Sequence, residues 1–331
     1  MDITYRIAVE EDIEAMAKFW SDNAGWDIID AVEWKRRFMN SPAGDAIVSL
    51  ALDESTSEII GQFVFIPLNV SVAGKTVKAF RPFAPILKVS LQTKFGISAL
   101  LTGRHPLLKM YARVTEDLSK KDIPFVFIIP DPRWNRVLKA FPNIMTHRFP
   151  LWTLSLPLTR KFEQEPDYIS KKIASDSIEI DEIWQKAALT YTAMIVRNRH
   201  LIRWRTQFGD FKTYAVYKGG NIVGFFAAVY KSKDHQWLIC DLIAADTEQS
   251  LKNTLLYACN ILADEDSLLN RSNEAPRKLS ILATPPIEKV LLSAGFVKND
   301  YHFTLAVHAL DKKNIDRRDV NPANWYISAN D

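Results

Sequence analysis

The sequence predicts a mixed α/β protein of two domains, each with a mixed, mostly antiparallel sheet flanked by helices. Three observations support this. The chain has 331 residues, 47% of them hydrophobic and 24% charged, which is enough apolar material for two cores. Strand and helix patterns occur in one order in the first half, and the same order returns in the second half. The segment Lys218-Gly-Gly-Asn221 separates two strand patterns and is typical of a tight antiparallel hairpin.

The first half begins with a strand at 4–8, followed by two helices. The acidic residues from Glu10 to Glu14 suit the first turn of a helix because they complement its dipole. A second helix over 32–39 ends at Ser41-Pro-Ala-Gly44. Strands at 46–52 and 59–72 follow, and Ala73-Gly-Lys75 turns the chain into the next strand.

The stretch from Phe83 to Phe141 is the most informative part of the chain. Its elements are an apolar run over 84–89, a turn over 102–106, a helix ending near Lys121, an apolar strand over 125–130 and a short helix over 134–141. Pro106 suits the first helical position, where a backbone N–H has no intrahelical partner. Amides at a helix N-terminus are unpaired and partly positive, so this turn could hold a pyrophosphate.

The second half repeats the order of elements. Predicted helices and strands, in chain order, cover 183–191, 198–206, 212–217, 222–230, 237–244, 247–263, 278–283, 286–293 and 301–309. Residues 1–158 are therefore predicted as the first domain and 176–311 as the second, with a charged linker at 159–175. The remaining tail, 312–331, is polar except for Trp325-Tyr-Ile327, which we expect to dock on the body of the protein.

Composition excludes several classes of function. The net charge of +3 is too small to indicate nucleic-acid binding, and the basic cluster from Arg197 to Arg205 suits a solvated helix face. The two cysteines, Cys240 and Cys259, lie in apolar surroundings and are expected to be buried free thiols, with no metal site. The N-terminus does not resemble a signal peptide, and no apolar run reaches the length of about 18 residues that a membrane span needs. A cytoplasmic protein is expected.

The element order, present twice, resembles the GNAT fold of acyl-CoA-dependent N-acyltransferases, in tandem. In that family a central strand leads into a loop of type R/Q-x-x-G-x-G/A, whose amides bind the pyrophosphate of acetyl-CoA. The first half has Thr102-Gly-Arg-His-Pro-Leu107 at this position, and an imperfect match over 92–98 that contains Gly96. The second half has Ser293-Ala-Gly-Phe296, which is similar to the family's closing element.

The resemblance implies a site for acetyl-CoA or another acyl-CoA in the first half. It assigns binding to the end of the central strand and to the turn that opens the helix, namely Lys88, Val89, Thr102, Gly103, Arg104, His105, Pro106 and Leu107. His105 could also act as a general base, although a histidine on a surface loop is the more common situation.

The second half is expected to lack a cofactor. Its loop, Ala244-Ala-Asp-Thr-Glu-Gln249, has no glycine and places Asp246 and Glu248 where phosphates would lie. The tyrosine that often serves the family as an acid is also absent. The first half has Val137 or Leu138 at that position, and the second has Val290 or Leu291. The catalytic residues are therefore not identified by the sequence.

Two further groups have alternative interpretations. Asp241 interrupts an apolar strand, and a structural ion pair, for example with Arg205, is favoured over a contact to a substrate amine. Trp20, Trp26 and Trp34 lie near the first two helices, which border the acceptor cleft in the GNAT fold. Packing in the core is favoured over stacking on a ligand.

The leading functional hypothesis is an acyl-CoA-dependent N-acyltransferase that acts on a small-molecule amine such as an amino sugar, or on a peptide amine. The degenerate loops also fit a binding protein that retains the fold without the chemistry. A third hypothesis is a FemABX-like aminoacyl transferase using charged tRNA, for which the composition shows no basic groove.

Overall fold

The computed structural model describes residues 2–25, 28–92, 94–95, 99, 102–130, 143–245, 247–269, 277–282, 285–310 and 316–329. The chain divides into two compact units, each of which is discontinuous in sequence. Unit 1 comprises Met1–Asn69, Val77–Thr146 and Leu305–Arg318, and unit 2 comprises Val70–Thr76, His147–Thr304 and Asp319–Asp331.

The helices and strands follow the predicted alternation closely. In chain order they are β1 (Ile3–Ile7), α1 (Ile13–Asn23), α2 (Ala31–Phe38), β2 (Ile47–Asp53), β3 (Ile59–Val72), β4 (Lys75–Leu87), α3 (Val89–Gln92), α4 (Pro106–Lys120), β5 (Phe125–Ile128), β6 (Ile144–Leu156), β7 (Tyr168–Lys172), α5 (Ile178–Ala187), β8 (Ala193–Ile195), α6 (Arg199–Thr206), β9 (Phe211–Lys218), β10 (Asn221–Lys231), β11 (Gln236–Ala244), α7 (Glu248–Leu269), β12 (Arg277–Leu282), α8 (Pro285–Ser293), β13 (Val297–Ala309) and β14 (Trp325–Tyr326). The helix expected at 134–141 lies outside the described residues.

In unit 1 the strands are ordered β1-β2-β3-β4-β5-β13. β1 with β2, β2 with β3, and β5 with β13 are antiparallel, whereas β4 and β5 are parallel. Helix α4 covers one face of this sheet because its apolar residues recur every three or four positions, at Leu107, Met110, Val114 and Leu118. The mixed, mostly antiparallel sheet that the sequence predicts is confirmed.

In unit 2 the order is β6-β12-β11-β10-β9-β7, again with one parallel pair, β11 with β12. The tip of the β3–β4 hairpin also belongs to this unit, where Val70–Val72 pairs with β8. β8 pairs in turn with β14, so both segments pack against the body of unit 2. The large core of the unit is formed by α7 together with β10 and β11.

Several predicted boundaries differ from the structure. The expected linker at 159–175 contains β7, whose charged residues fit an edge strand next to β9. Helix α5 starts at Ile178, five residues before the predicted start, because Ser177 is in an extended conformation and Glu179 and Asp181 occupy the first turn.

The domain boundaries differ for a related reason. Residues 147–158 were assigned to the first domain and 305–311 to the second, but 147–156 form most of β6 in unit 2, and 305–318 belong to unit 1. A division at a single linker is therefore replaced by an exchange of strands between the two units.

Candidate functional site: the central strands and the N-terminus of α4

The two central strands of unit 1 run side by side and parallel. They pair where Phe80 of β4 faces Val126 of β5, and β4 then continues for seven residues to Leu87. Within that continuation Ala84 has a φ of 48°, in the left-handed region that a residue with a side chain seldom adopts. Pro82 and Pro85 flank it and cannot donate to a strand ladder. β4 is therefore bent at this point and cannot continue a regular ladder along β5.

Lys88 and Val89, the first two predicted cofactor residues, lie where β4 ends. The backbone amide of Lys88 donates to Ile60 O at 2.9 Å, and the amide of Val89 donates to Asn23 Oδ1 at 3.1 Å. The Lys88 ammonium pairs with Glu58 at 3.0 Å on the surface. These contacts attach the end of β4 to β3 and to the last turn of α1.

The predicted turn opens α4 as expected, and Pro106 occupies the first helical position. Gly103 has a φ of 70°, and a side chain placed there would meet no atom within 4 Å. Its amide has no hydrogen-bond partner among the described residues, and Arg104 is exposed. These two residues therefore offer a donor and a positive charge to solvent at the helix N-terminus.

The remaining amides of the turn are held by the chain itself. Arg104 N and His105 N both donate to Ala99 O, at 2.9 and 3.0 Å. The Leu107 amide donates to Nδ1 of His105 at 3.2 Å, so this imidazole caps the helix. A pyrophosphate that bound all of these amides would first have to displace the Ala99 carbonyl and the His105 ring.

His105 is buried, contrary to the expectation of a histidine on a surface loop. It is 6% exposed, and its ring contacts Phe95 edge-on at 5.9 Å. Burial lowers the pKa of its imidazole, and a hydrogen bond to the Phe95 carbonyl opposes that shift in part. The ring is therefore held neutral, which allows Nδ1 to accept from Leu107.

Gln62, on β3, is a candidate that the sequence reasoning missed. Its side chain is fully buried, and neither Nε2 nor Oε1 has a hydrogen-bond partner within the described part of the chain. Because Ile60, two residues before it, accepts the Lys88 amide, Gln62 lies beside the bent end of β4. A buried amide with both groups unpaired is costly, and a catalytic role is one of the explanations for such a group in a native protein. The available signal was a lone amide within the apolar run Ile59–Ile66.

The sheet has two distinct faces at this point. Phe63 and Phe65 pack in the cluster under α4, so alternation along β3 places Gln62 on the opposite face. Gly61 allows the close packing, since a Cβ there would lie 2.8 Å from Leu87 Cδ2 and 3.1 Å from Met110 Cε.

A tyrosine–histidine pair lies on the α4 side. Tyr111 of α4 and His308 of β13 are joined by a hydrogen bond of 2.9 Å between the hydroxyl and Nδ1, and their rings stack at 5.8 Å. Burial raises the pKa of Tyr111 and lowers the pKa of His308, so both are neutral near pH 7. His308 faces Val126, the residue at which β4 and β5 pair.

The aromatic residues of the first two helices are mostly part of the core. Trp20 is 1% exposed and stacks on Phe83 of β4 at 6.3 Å, and Trp34 is fully buried against Phe38. Packing, the favoured interpretation, is confirmed for these two tryptophans, and Trp26 lies outside the described residues.

A cavity of about 360 Å³ in unit 1 lies away from this site. It is lined by the end of β1, the start of β2 and the first turns of α1, with Trp34 and Lys35 from α2. Helix α1 runs from this cavity to Asn23, which contacts Val89, and eleven residues of helix span about 16 Å. The cavity is therefore at the other end of α1 from the bent end of β4.

Unit 2 also has a parallel pair of central strands, but one strand bulges and the N-terminus of the helix that follows is already capped. β11 and β12 are parallel from Gln236 to Ile239, and β11 then bulges at Cys240, which has no partner in β10. At the helix that follows, Thr247 Oγ1 accepts from the amide of Ser250 at 3.0 Å, and Glu248 pairs with Lys289. This helix N-terminus is capped by its own residues and carries a carboxylate. Asp246 lies outside the described residues.

Asp241 is an ion-paired residue, as the sequence favours, and Arg197 is a partner of it in the structure, at 2.8 Å. Ser328 also donates to Asp241, at 2.9 Å. Arg197 was expected on a solvated helix face, but it is fully buried. Cys240 and Cys259 are buried free thiols, as predicted, and burial raises the pKa of each.

Within the part of the chain that the structure describes, no group of three or more histidine, cysteine, aspartate or glutamate residues is arranged to hold a metal ion. In the same part, none of the helices combines the length and the apolarity needed to cross a bilayer.

The fold can be compared with known proteins. No protein-family model and no curated protein matches the sequence. Among solved structures, a GCN5-related N-acetyltransferase from Anabaena variabilis is similar with a TM-score of 0.68 at 11% identity, over 94% of this chain and 73% of that one. A probable N-acyltransferase of unknown function from Enterococcus faecalis is similar with a TM-score of 0.66 at 9% identity, over 92% and 72%.

A third similar structure contains a bound ligand. The N-myristoyltransferase of Saccharomyces cerevisiae with bound myristoyl-CoA has a TM-score of 0.56 at 11% identity, over 92% of this chain and 82% of that one. At these identities the comparison concerns the fold. The chain has the GNAT fold that these acyltransferases share, over nearly its whole length.

Proposed function

We propose that this protein is an acyl-CoA-dependent N-acyltransferase whose cofactor binds in unit 1. The observation that carries the proposal is the pair β4 and β5, parallel at Phe80 and Val126, followed by a bend at Ala84 and by the N-terminus of α4. Strands that diverge beside a helix N-terminus offer backbone groups to an amide-bearing chain and a positive end to its phosphates. The fold shared with acyltransferases supports the same assignment.

We assign the pyrophosphate to the turn at the start of α4. Gly103 supplies an amide with no hydrogen-bond partner among the described residues and open space above it, and Arg104 supplies charge, while Thr102, His105, Pro106 and Leu107 form the rest of the turn. Lys88 and Val89 lie at the end of β4, where the acyl-bearing arm would pass. Binding would replace the Ala99 carbonyl and the His105 ring as partners of the turn amides, so we expect a local rearrangement.

The reaction would be direct transfer of an acyl group. The amine attacks the thioester carbonyl, the bond from carbon to sulfur breaks, and the amine proton ends on the coenzyme A thiol. Positioning of the two reactants alone provides several kcal/mol of catalysis. Gln62 is the side chain that we expect to contact the reacting groups, because it has an unpaired donor and acceptor beside the bent end of β4. The acyl group is proposed to be acetyl, and the acceptor an amino sugar or a peptide amine.

A second candidate function is supported by the capped turn. In this structure Ala99 O and the His105 ring hold the amides that a pyrophosphate would need. A protein that has lost cofactor binding, and that uses the fold to bind another molecule, would have a turn closed in this way. This alternative predicts no measurable affinity for coenzyme A.

Calorimetry with coenzyme A and acetyl-CoA separates the two functions. The wild-type protein should bind both, and Arg104→Glu should weaken binding at least about tenfold, because it replaces a charge-assisted contact with repulsion. Lys120→Glu, at the other end of α4 and paired with Glu116 on the surface, is the matched charge reversal and should leave the affinity unchanged. Absence of binding by the wild type would favour the second function. Equal affinity of Arg104→Glu and wild type would place the pyrophosphate elsewhere.

Activity is then tested with a panel of amines. Acetyl-CoA is supplied with amino sugars, short peptides and simple amines, and release of free thiol is followed together with the mass of the acylated product. Binding without transfer to any amine would indicate that the fold is retained without the chemistry.

A further inference from the structure

A pocket of about 440 Å³ lies in unit 2, beside the end of β6. One wall is formed by the last part of β6 and the segment that follows it, from Thr153 to Phe162, and the other by Ala294, Gly295 and Val297 between α8 and β13. Gly295 has a φ of 81°, in the left-handed region, and its amide ends α8 by donating to the carbonyl three residues before it. The pocket is within the size range of small-molecule sites.

The segment Pro157–Lys161, which we call the arch, is attached to the rest of unit 2 at both of its ends. It follows directly on Leu156, which pairs with β12. At the other end, Asn260 of α7 bonds both backbone groups of Phe162, accepting from the amide and donating to the carbonyl, each at 2.9 Å. These contacts hold the arch in place without using its own amides.

The arch carries hydrogen-bond donors that no described protein group uses. The amides of Leu158, Thr159 and Arg160 have no hydrogen-bond partner among the described residues. Successive amides in a turn can enclose an anion. The hydroxyls of Thr153, Ser155 and Thr159 line the same pocket and also make no hydrogen bond within the described part of the chain. Amides and hydroxyls are thus both available to an oxygen-rich ligand.

The charge of the pocket is positive. Arg160 lines it, is exposed, and has no ion-pair partner in the part of the chain that the structure describes. None of the described residues that line the pocket carries a carboxylate. The adjacent cation, Lys161, differs because it is paired with Asp264 at 2.7 Å. A guanidinium presents its N–H groups in a planar fork that matches the oxygens of a phosphate.

From these observations we propose that the pocket binds a phosphate monoester with a short apolar group. The amides of the arch, the three hydroxyls and the guanidinium of Arg160 supply donors for the phosphate oxygens, which are strong acceptors. A carboxylate has two oxygens and would use fewer of these donors. Leu154, Leu158 and Val297 provide an apolar wall for the rest of the molecule. The inference concerns unit 2 and does not depend on acyl-CoA binding in unit 1.

Calorimetry with phenyl phosphate, on the whole chain, measures the expected affinity. Arg160→Gln should weaken binding about tenfold or more, because it removes a charge-assisted contact. Lys161→Gln is the matched control, since it removes the adjacent positive charge, which already has a partner, and it should leave the affinity nearly unchanged. Arg104→Glu should also keep the affinity of the wild type, because Arg104 lies at the turn in unit 1. A loss in Arg104→Glu as large as that in Arg160→Gln would move the phosphate to unit 1.

Hydrogen exchange provides a second measurement that needs no variant. Phenyl phosphate should slow exchange at the amides of Leu158, Thr159 and Arg160. The proposal would be overturned by absence of binding to the wild type, by equal affinities of Arg160→Gln and the wild type, or by an equal loss in Lys161→Gln. Unchanged exchange at the arch amides would also contradict it. Benzoate that binds as tightly as phenyl phosphate would show that the site does not select a phosphate.

Discussion

Arg197 and Asp241 form an ion pair from which solvent is excluded, with Nε 2.8 Å from Oδ1 and both side chains 0% exposed. Both members have further partners, because Arg197 also donates to the carbonyl of Ile195 and Ser328 donates to Asp241. While it is intact, such a pair adds little to the free energy of unfolding, because the attraction is largely offset by the desolvation of both charges. Removing one partner leaves the other charge buried without a partner.

Asp241→Asn should therefore destabilise the protein strongly, by about 3–5 kcal/mol, since Arg197 keeps its charge in the core. Urea unfolding followed by fluorescence measures the change. Asp264→Asn is the control, because Asp264 pairs with Lys161 at 2.7 Å with both side chains more than half exposed. That substitution should cost less than about 1 kcal/mol. Similar costs for the two variants would mean that the buried pair is not held as described.

Local sequence patterns predict the elements of this fold better than its units. Helix α4 is predicted from Pro106 and from its polar-apolar pattern, and β5 is predicted from its apolar run. Both are local signals, determined by periodicity and by a terminal proline. The exchange of strands was not predicted, because the pairing of Val70–Val72 with β8 depends on residues about 120 positions apart, and no local pattern specifies such a contact.

The candidate site was predictable only in part. The sequence singles out Gly103 and Arg104 because a glycine before a helix start has a conformational meaning, and their role in binding a cofactor stays a prediction. The cap by His105 was not predicted, since histidine also occurs on surface loops and its burial depends on Phe95. Asp241 was recognised as a paired residue, but Arg197 could not be identified as its partner from a sequence separation of 44 residues.

Gly61→Ala should disturb the end of β4. The added methyl would lie 2.8 Å from Leu87 Cδ2 and 3.3 Å from Ala51 Cβ, so neighbouring groups must move. The expected cost is about 1–3 kcal/mol, as for other insertions into a packed core. Combining it with Leu87→Ala removes the clashing methyl and should cost less than the sum of the two single changes. Additive free energies of unfolding would show that Leu87 is not the group that Gly61 accommodates.

His105 should make stability depend on pH. Its pKa in the folded protein is lowered from the ordinary 6.5, so below that pH the unfolded chain binds more protons than the folded one. Its contribution to stability is therefore complete above a pH of about 6.5 and is lost as the pH falls below it. Urea unfolding should be measured between about pH 7.5 and 5, a range in which ordinary carboxylates remain ionised. The free energy of unfolding should decrease as the pH falls across this range.

His105→Asn isolates that contribution, because asparagine can also cap a helix but does not titrate. The variant should have a flatter dependence on pH than the wild type. His308, whose pKa is also lowered by burial, accounts for part of the remaining slope. The same slope in the wild type and in His105→Asn would indicate that the imidazole of His105 is exposed to solvent in the folded protein.

Gln62→Met should separate stability from function. The side chain is fully buried, and neither polar atom has a partner among the residues that the structure describes. A side chain of similar length without those atoms should therefore leave the protein equally stable or raise its free energy of unfolding by about 1–3 kcal/mol. Gln236→Met is the matched control. Gln236 Oε1 accepts from Ser280 at 2.8 Å, and losing that bond should lower stability.

If Gln62 contacts the reacting groups, its replacement should reduce the rate of acyl transfer while affinity for coenzyme A, measured by calorimetry, is unchanged. A loss of stability in Gln62→Met would show instead that the amide has a structural partner, and full activity in a stabilised variant would remove Gln62 from the proposed site.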